Sequence, residues 1–171
     1  MRSRRPELSK LVGLAFVAVL ILQLLSGSLS GRAQDATPIA DSDANKALVL
    51  RFLDEVWNEG NTDVAYEVLA PDFTWWLSTG EIYLIGPDAF KREADAVRAA
   101  IDEVGLTFDI VLAEGEFVAV RYTFLGILPQ GDGTPQAADA APEELCRGNA
   151  IYRVEDGKIA ELWDESVSCS S

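Results

Sequence analysis

The chain has 171 residues, 49% of them hydrophobic and 25% charged; this is enough for one packed core, too little for two full domains, and excludes a wholly disordered chain. Lys and Arg number 14 against 28 Asp and Glu, a net charge of −14, so the surface repels phosphate and no nucleic-acid partner is expected. There is no histidine, which removes the commonest general base, the Ser-His and Cys-His nucleophile pairs and most first-row metal sites.

Arg2, Arg4, Arg5 and Lys10 precede an apolar run from Leu11 to Leu25, and the small residues of Ser26–Gly31 follow. That order is the layout of a secretory signal. Gly31 and Ala33 fit the small positions before a cleavage site, so residues 1–33 are expected to be removed and the mature chain to begin at Gln34; an uncleaved anchor is the alternative. Either way the domain is expected outside the cytoplasm, secreted or periplasmic, with no membrane contact after cleavage. Removal takes away five basic residues and Glu7, leaving 9 basic against 27 acidic and a charge of −18.

Residues 34–43 read as a polar, flexible leader, and the domain as residues 44–171. Leu48, Val49, Phe52, Leu53, Val56 and Trp57 recur at helical spacing behind the possible caps Asp41, Ser42 and Asp43, and Gly60 closes that helix. A short helix is expected from Thr62 to Pro71, then an aromatic strand from Phe73 to Leu77 and a second strand from Ile82 to Ile85. Gly86-Pro87-Asp88 opens a long helix whose stripe Phe90, Ala94, Val97, Ile101, Val104 runs to Gly105. From Leu106 the period becomes two, with Leu106, Phe108, Ile110 and Leu112 on one face of a strand. A long strand from Phe117 to Leu128 follows, with Val118, Val120, Tyr122 and Phe124 sharing a face. Residues 129–142 have no apolar period and read as a loop. Two last strands, Arg147–Val154 and Lys158–Val167, flank the hairpin turn Asp156-Gly157. This order is that of an α+β fold, helices packed on one face of a sheet.

Two cysteines remain in the mature part, Cys146 and Cys169, at nearly opposite positions of the last hairpin. In an exported chain they are expected to form a disulfide; a reactive redox pair is the competing reading.

The runs Arg51–Asn61, Leu69–Phe73, Gly86–Lys91, Ala113–Tyr122 and Ile151–Trp163, in this order, resemble the SnoaL-like polyketide cyclase family of the nuclear-transport-factor-2-like superfamily, over residues 44–167. The resemblance implies a cone-shaped α+β barrel, a curved antiparallel sheet packed by about three helices around an apolar pocket, often dimeric through the sheet. It also implies acid/base chemistry by a carboxyl group, commonly assisted by a histidine on the long central strand. That position reads Gly126-Ile127-Leu128 here, and the acidic residues after Glu161-Leu-Trp163, Asp164 and Glu165, are shifted from the family's place.

A two-residue turn at Asp156-Gly157 predicts Tyr152 across from Glu161 and Ala150 across from Trp163 on the pocket face, with Asn149 and Asp164 on the other. Glu161 is then the candidate catalytic carboxyl, desolvated among Tyr122, Tyr152 and Trp163; the competing reading pairs it with an arginine or leaves it wet at the pocket mouth. Arg121 and Arg153 read as charge partners on the sheet or residues of a dimer interface, and Asn58, Asn61 and Asp72 as structural. Core packing is the ordinary reading of Trp57, Trp75, Trp76, Tyr83 and Phe90, but some aromatic rings must line the cavity. The expected substrate-binding lining is Trp57, Trp75, Tyr83, Tyr122, Phe124, Tyr152 and Trp163. No calcium-loop pattern is present, and neither metal nor cofactor is expected. The expected function is binding of a small apolar molecule, with cyclase or isomerase activity or as a non-catalytic ligand-binding or dimerisation module. An epoxide hydrolase would want an Arg-x-Asp where Arg121-Tyr122-Thr123 stands.

Overall fold

The computed structural model describes residues 41–131, 134, 136–137 and 139–167, with only the backbone for 166 and 167. The expected signal, its cleavage site, residues 34–40 of the leader and Cys169 lie outside the described residues.

Helix α1, Ser42–Leu53, starts two residues before the expected domain boundary because Asp41 caps it, its carboxylate accepting from the N–H groups of Asp43 and Ala44 at 3.1 Å. It continues into a π-helical turn, Asp54–Glu59, ended by Gly60 at φ +78°. Val49, Phe52, Leu53 and Val56 form its buried stripe. Helix α2, Val64–Val68, is shorter than expected: strand β1, Leu69–Leu77, already includes Pro71, and Leu69 pairs with Ile159. A proline cannot supply the helical N–H, and the sheet gives this backbone a partner that local sequence does not reveal. Strand β2, Ile82–Ile85, folds back on β1.

Helix α3, Pro87–Ala100, begins at its proline and buries Phe90 and Ala94, but it stops before Gly105. Ile101 is extended, Glu103 sits at φ +50°, and strand β3 occupies Asp102–Glu114. Val104, expected on the helical stripe, is buried instead from this strand, which pairs with strand β4, Phe117–Ile127. Strands β5, Glu143–Glu155, and β6, Lys158–Val167, complete one sheet in the order β2-β1-β6-β5-β4-β3. All neighbours are antiparallel except β1 and β6, so the sheet is mixed rather than antiparallel throughout.

Two β-bulges overturn the faces that strict alternation predicts. On β3, Phe108 pairs with Tyr122 but Ile110 with Arg121. The extra residue, Asp109, sends Val111 and Ala113 to the core and leaves Ile110 and Leu112 exposed. On β6 the Asp156-Gly157 turn pairs Glu155 with Lys158 and Val154 with Ile159, as expected, and then Ala160 inserts. From there Arg153 faces Glu161, Tyr152 faces Leu162, Ile151 faces Trp163 and Ala150 faces Asp164. One inserted residue exchanges the two faces of all that follows. Its effect is to bury both Ile159 and Leu162 and to spare Glu161 an apolar surrounding.

The core lies between the helices and the inner face of the sheet, around Phe52, Phe73, Phe90, Val118, Tyr152 and Ile159. Phe52 and Phe90 meet at 5.0 Å between ring centroids, and Phe73 meets Phe90 edge-on at 6.1 Å. Among the described residues no helix is long and apolar enough to cross a membrane.

Candidate functional site

A cavity of about 450 Å³ opens between the inner face of the sheet and the helices. Six of the seven aromatic residues expected to line it do so: Trp57, Trp75, Tyr83, Tyr122, Phe124 and Tyr152. Each is placed by a local reason. Trp57 comes from the π-helical turn, where the wider winding turns its ring onto Phe124, edge-on at 5.5 Å. The turn is pinned from two sides. Asn58 accepts from the Leu106 N–H at 2.7 Å and donates to the Leu106 carbonyl at 3.1 Å, and the Arg98 guanidinium donates to the carbonyls of Val56 and Trp57 at 3.2 and 2.9 Å. Trp75 from β1 and Tyr83 from β2 meet edge-on at 5.1 Å. The indole N–H of Trp75 is buried and has no hydrogen-bond partner among the described residues.

Trp163 and Glu161 are not in this cavity. The register of β6 places both on the outer face, where Trp163 stands beside Ile151 and Phe117. Glu161 is ion-paired with Arg153 and accepts from the Trp76 indole N–H at 3.3 Å, so of the two readings the arginine pairing is the one found. Arg121 likewise faces Asp109 at 3.7 Å on the sheet surface. In this register Glu161 is not a carboxyl of the cavity, contrary to expectation.

Two carboxyls line the cavity, Glu93 and Asp164, and the one that β6 supplies is Asp164. Tyr122 donates its hydroxyl to Asp164 Oδ1 at 2.8 Å, leaning from β4 across Gly148 of β5, its own cross-strand partner, to reach β6. Burial pushes the Asp164 carboxyl above the ordinary aspartate range, the neighbouring Glu165 adds to this, and the bond from Tyr122 partly opposes it. The Tyr122 and Tyr152 hydroxyls are driven far up by burial and by the Asp164 charge and stay protonated. The arrangement is a largely buried carboxyl in an aromatic wall, held by a hydroxyl that donates to it. Strict alternation from the Asp156-Gly157 turn puts Asp164 on the outer face, and the bulge at Ala160 brings it inward; the sequence signal for that bulge is that strict alternation buries Glu161 and exposes Leu162.

At the mouth Tyr83 donates to Glu93 Oε1 at 2.5 Å, which pushes the Tyr83 hydroxyl up to about 12. Cys146 also lines the cavity and is buried; its expected bridge to Cys169 falls outside the described residues. Among the described residues no group of three or more His, Cys, Asp or Glu is arranged to hold a metal ion.

Residues 49–162, well over half of the chain, match the SnoaL-like domain. The chain belongs to the SnoaL-like family. The SnoaL-like domain is similar in fold to three solved structures. A candidate SnoaL-like polyketide cyclase from Jannaschia sp. CCS1 is 21% identical, with 78% of this chain and 90% of that one covered and a TM-score of 0.59. A candidate ketosteroid isomerase from Kribbella flavida DSM 17836 is 20% identical over 77% and 84%, at 0.56. A hypothetical protein with a ketosteroid isomerase-like fold from Catenulispora acidiphila DSM 44928, in complex with trimethylamine, is 18% identical over 72% and 87%, also at 0.56. At these identities the likeness is one of fold. No curated protein matches the chain.

Proposed function

We propose that this SnoaL-like protein binds a small, mostly apolar molecule in the aromatic cavity and moves a proton on it with Asp164. The observation that carries the reading is the Asp164 carboxyl, desolvated in a largely aromatic wall and oriented by Tyr122. Ionised, it takes a proton from a carbon next to a carbonyl, and the C–H electron pair passes into the enolate. Protonated in turn, it returns the proton at a second carbon. That sequence is an isomerisation; where the enolate carbon instead attacks a second carbonyl of the same molecule, the C=O electron pair moves onto its oxygen, Asp164 returns the proton to that alkoxide, and the result is a cyclisation.

A β,γ-unsaturated cyclic ketone serves as the probe. The protein should accelerate its conversion to the conjugated isomer, and Asp164→Asn, which keeps the shape and can still accept from Tyr122, should slow it at least ~100-fold. Full rate in Asp164→Asn removes the proton-transfer reading. Binding without turnover is the second reading. It is favoured by the commitment of the Tyr122 hydroxyl to Asp164, which withholds that donor from a ligand; ligand retention by a protein that forms no product would support it.

The proposal includes export. The basic, apolar and small-residue order of residues 1–33 motivates it, and mass spectrometry of the exported protein should find Gln34 at its amino terminus, against a full-length membrane-bound product if the segment stays as an anchor. The Cys146–Cys169 bridge belongs to the same reading, and two free thiols in the unfolded, unreduced protein would refute it. A homodimer through the outer sheet face is proposed because Ile110, Leu112, Phe117 and Ile151 are exposed there; a monomeric mass in sedimentation equilibrium would remove it.

A further inference from the structure

The mouth of the cavity holds a second carboxylate that the proton transfer does not use. Glu93 projects from α3 into the lining, and its one hydrogen bond among the described residues comes from the Tyr83 hydroxyl. Among the described residues it takes part in no ion pair, although α3 carries other cations near it. Lys91 is spent on Asp63, Asp95 and the Thr62 hydroxyl, Arg98 on the carbonyls of Val56 and Trp57, and Arg92, exposed at the preceding position, makes no ion pair with Glu93 among the described residues. Among the described residues that line the cavity there is no Lys or Arg.

The surroundings of Glu93 are aromatic. Tyr83 anchors it and stands edge-on to Trp75 at 5.1 Å, and the cavity continues inward to Trp57 and Phe124. Ring faces carry negative electrostatic potential and attract an alkylated ammonium, whose charge is spread over carbon and costs little to desolvate. A carboxylate beside such rings, with no cation of its own, completes the attraction. The net charge of −14 adds a field that gathers cations and repels anions.

We infer that the mouth formed by Glu93, Tyr83 and Trp75 is a seat for an alkylated ammonium group, so that the ligand has a cationic end there and an apolar body reaching toward Asp164. The inference rests on the reading above only in taking this cavity as the ligand site; the cationic end does not depend on whether Asp164 turns anything over.

Choline and its neutral isostere 3,3-dimethylbutan-1-ol separate charge from shape. Titrated by calorimetry at low salt, the protein should bind choline at least ~10-fold more tightly than the alcohol, and added salt should erode the difference. Glu93→Gln should bring the two within ~2-fold of each other, whereas Asp164→Asn should leave the preference standing. Equal binding of the two probes by the unaltered protein, or binding of neither, overturns the inference. So does a preference that survives Glu93→Gln or that Asp164→Asn abolishes, the latter moving the cation to the inner carboxyl. Tyr83→Phe, which keeps the ring and releases Glu93, guards against misfolding of the first variant: it should retain a choline preference, and its loss there would also overturn the inference. Loss of ketone isomerisation with the choline preference intact would count against the proton-transfer reading alone.

Discussion

Tyr122 reaches Asp164 by lying across Gly148: the three stand on adjacent strands β4, β6 and β5, and the 2.8 Å bond spans the middle one. A Cβ at position 148 would overlap the ring carbon Cζ and the hydroxyl oxygen of Tyr122. The glycine is thus a steric requirement of the site, since its backbone allows the ring to lie flat where any side chain would lift it. Gly148→Ala should destabilise the fold by about 1–3 kcal/mol and push the Asp164 carboxyl further up by removing its donor. Chemical denaturation and carboxyl titration by NMR check the two parts.

Asp164 makes stability depend on pH in a definite direction. Its carboxyl is raised in the folded protein from 3.8, so between that value and its folded value the native state holds a proton that the unfolded chain has released. Stability is then full below the unfolded value and falls as pH rises toward the folded one. Asp164→Asn should remove the fall, leaving the variant more stable at neutral pH and no different in strong acid. Thermal melts across pH would show a pH-independent difference if burial of Asp164 were not the cause.

Glu161→Gln should leave cavity binding and ketone isomerisation within ~2-fold of the unaltered protein, because Glu161 faces Arg153 and Trp76 on the outer surface. A large loss of rate would return the catalytic role to Glu161 and count against Asp164.

Asn58→Ala strips the Leu106 N–H and carbonyl of their partner at the part-buried contact between the π-helical turn and β3. The cost should be about 1–3 kcal/mol, and ligand affinity should fall as well, since Trp57 is the next residue. Unchanged affinity in a destabilised variant would show that the turn is held well enough by Arg98.

Phe73→Ala should cost about 3–5 kcal/mol, because Phe73 is fully buried and packs edge-on against Phe90. Loss of less than 1 kcal/mol in a denaturation midpoint would mean that the wall behind the cavity collapses to fill the space.

Most of the fold was legible in the chain because its signals are local. Asp41 as a cap, Gly60 as a left-handed stop, Pro87 opening α3, the alternation of β4 and the Asp156-Gly157 turn each depend on neighbours a few residues away, and five ordered runs resemble the family to which the chain belongs. From them followed the α+β class and six of the seven aromatic lining residues. What tertiary structure decided is what needs a partner strand. Pairing with β4 ends α3 at Ala100 and carries Val104 into β3, parallel pairing with β6 draws Leu69 to Pro71 out of a helix, and the inserted Ala160 exchanges Glu161 and Trp163 for Leu162 and Asp164. A β-bulge has little signature in its own residues. It forms because the packed alternative, an acidic side chain in the core and a leucine in water, costs more than the ladder hydrogen bonding it disturbs, and that comparison exists only once the sheet and the helices have met.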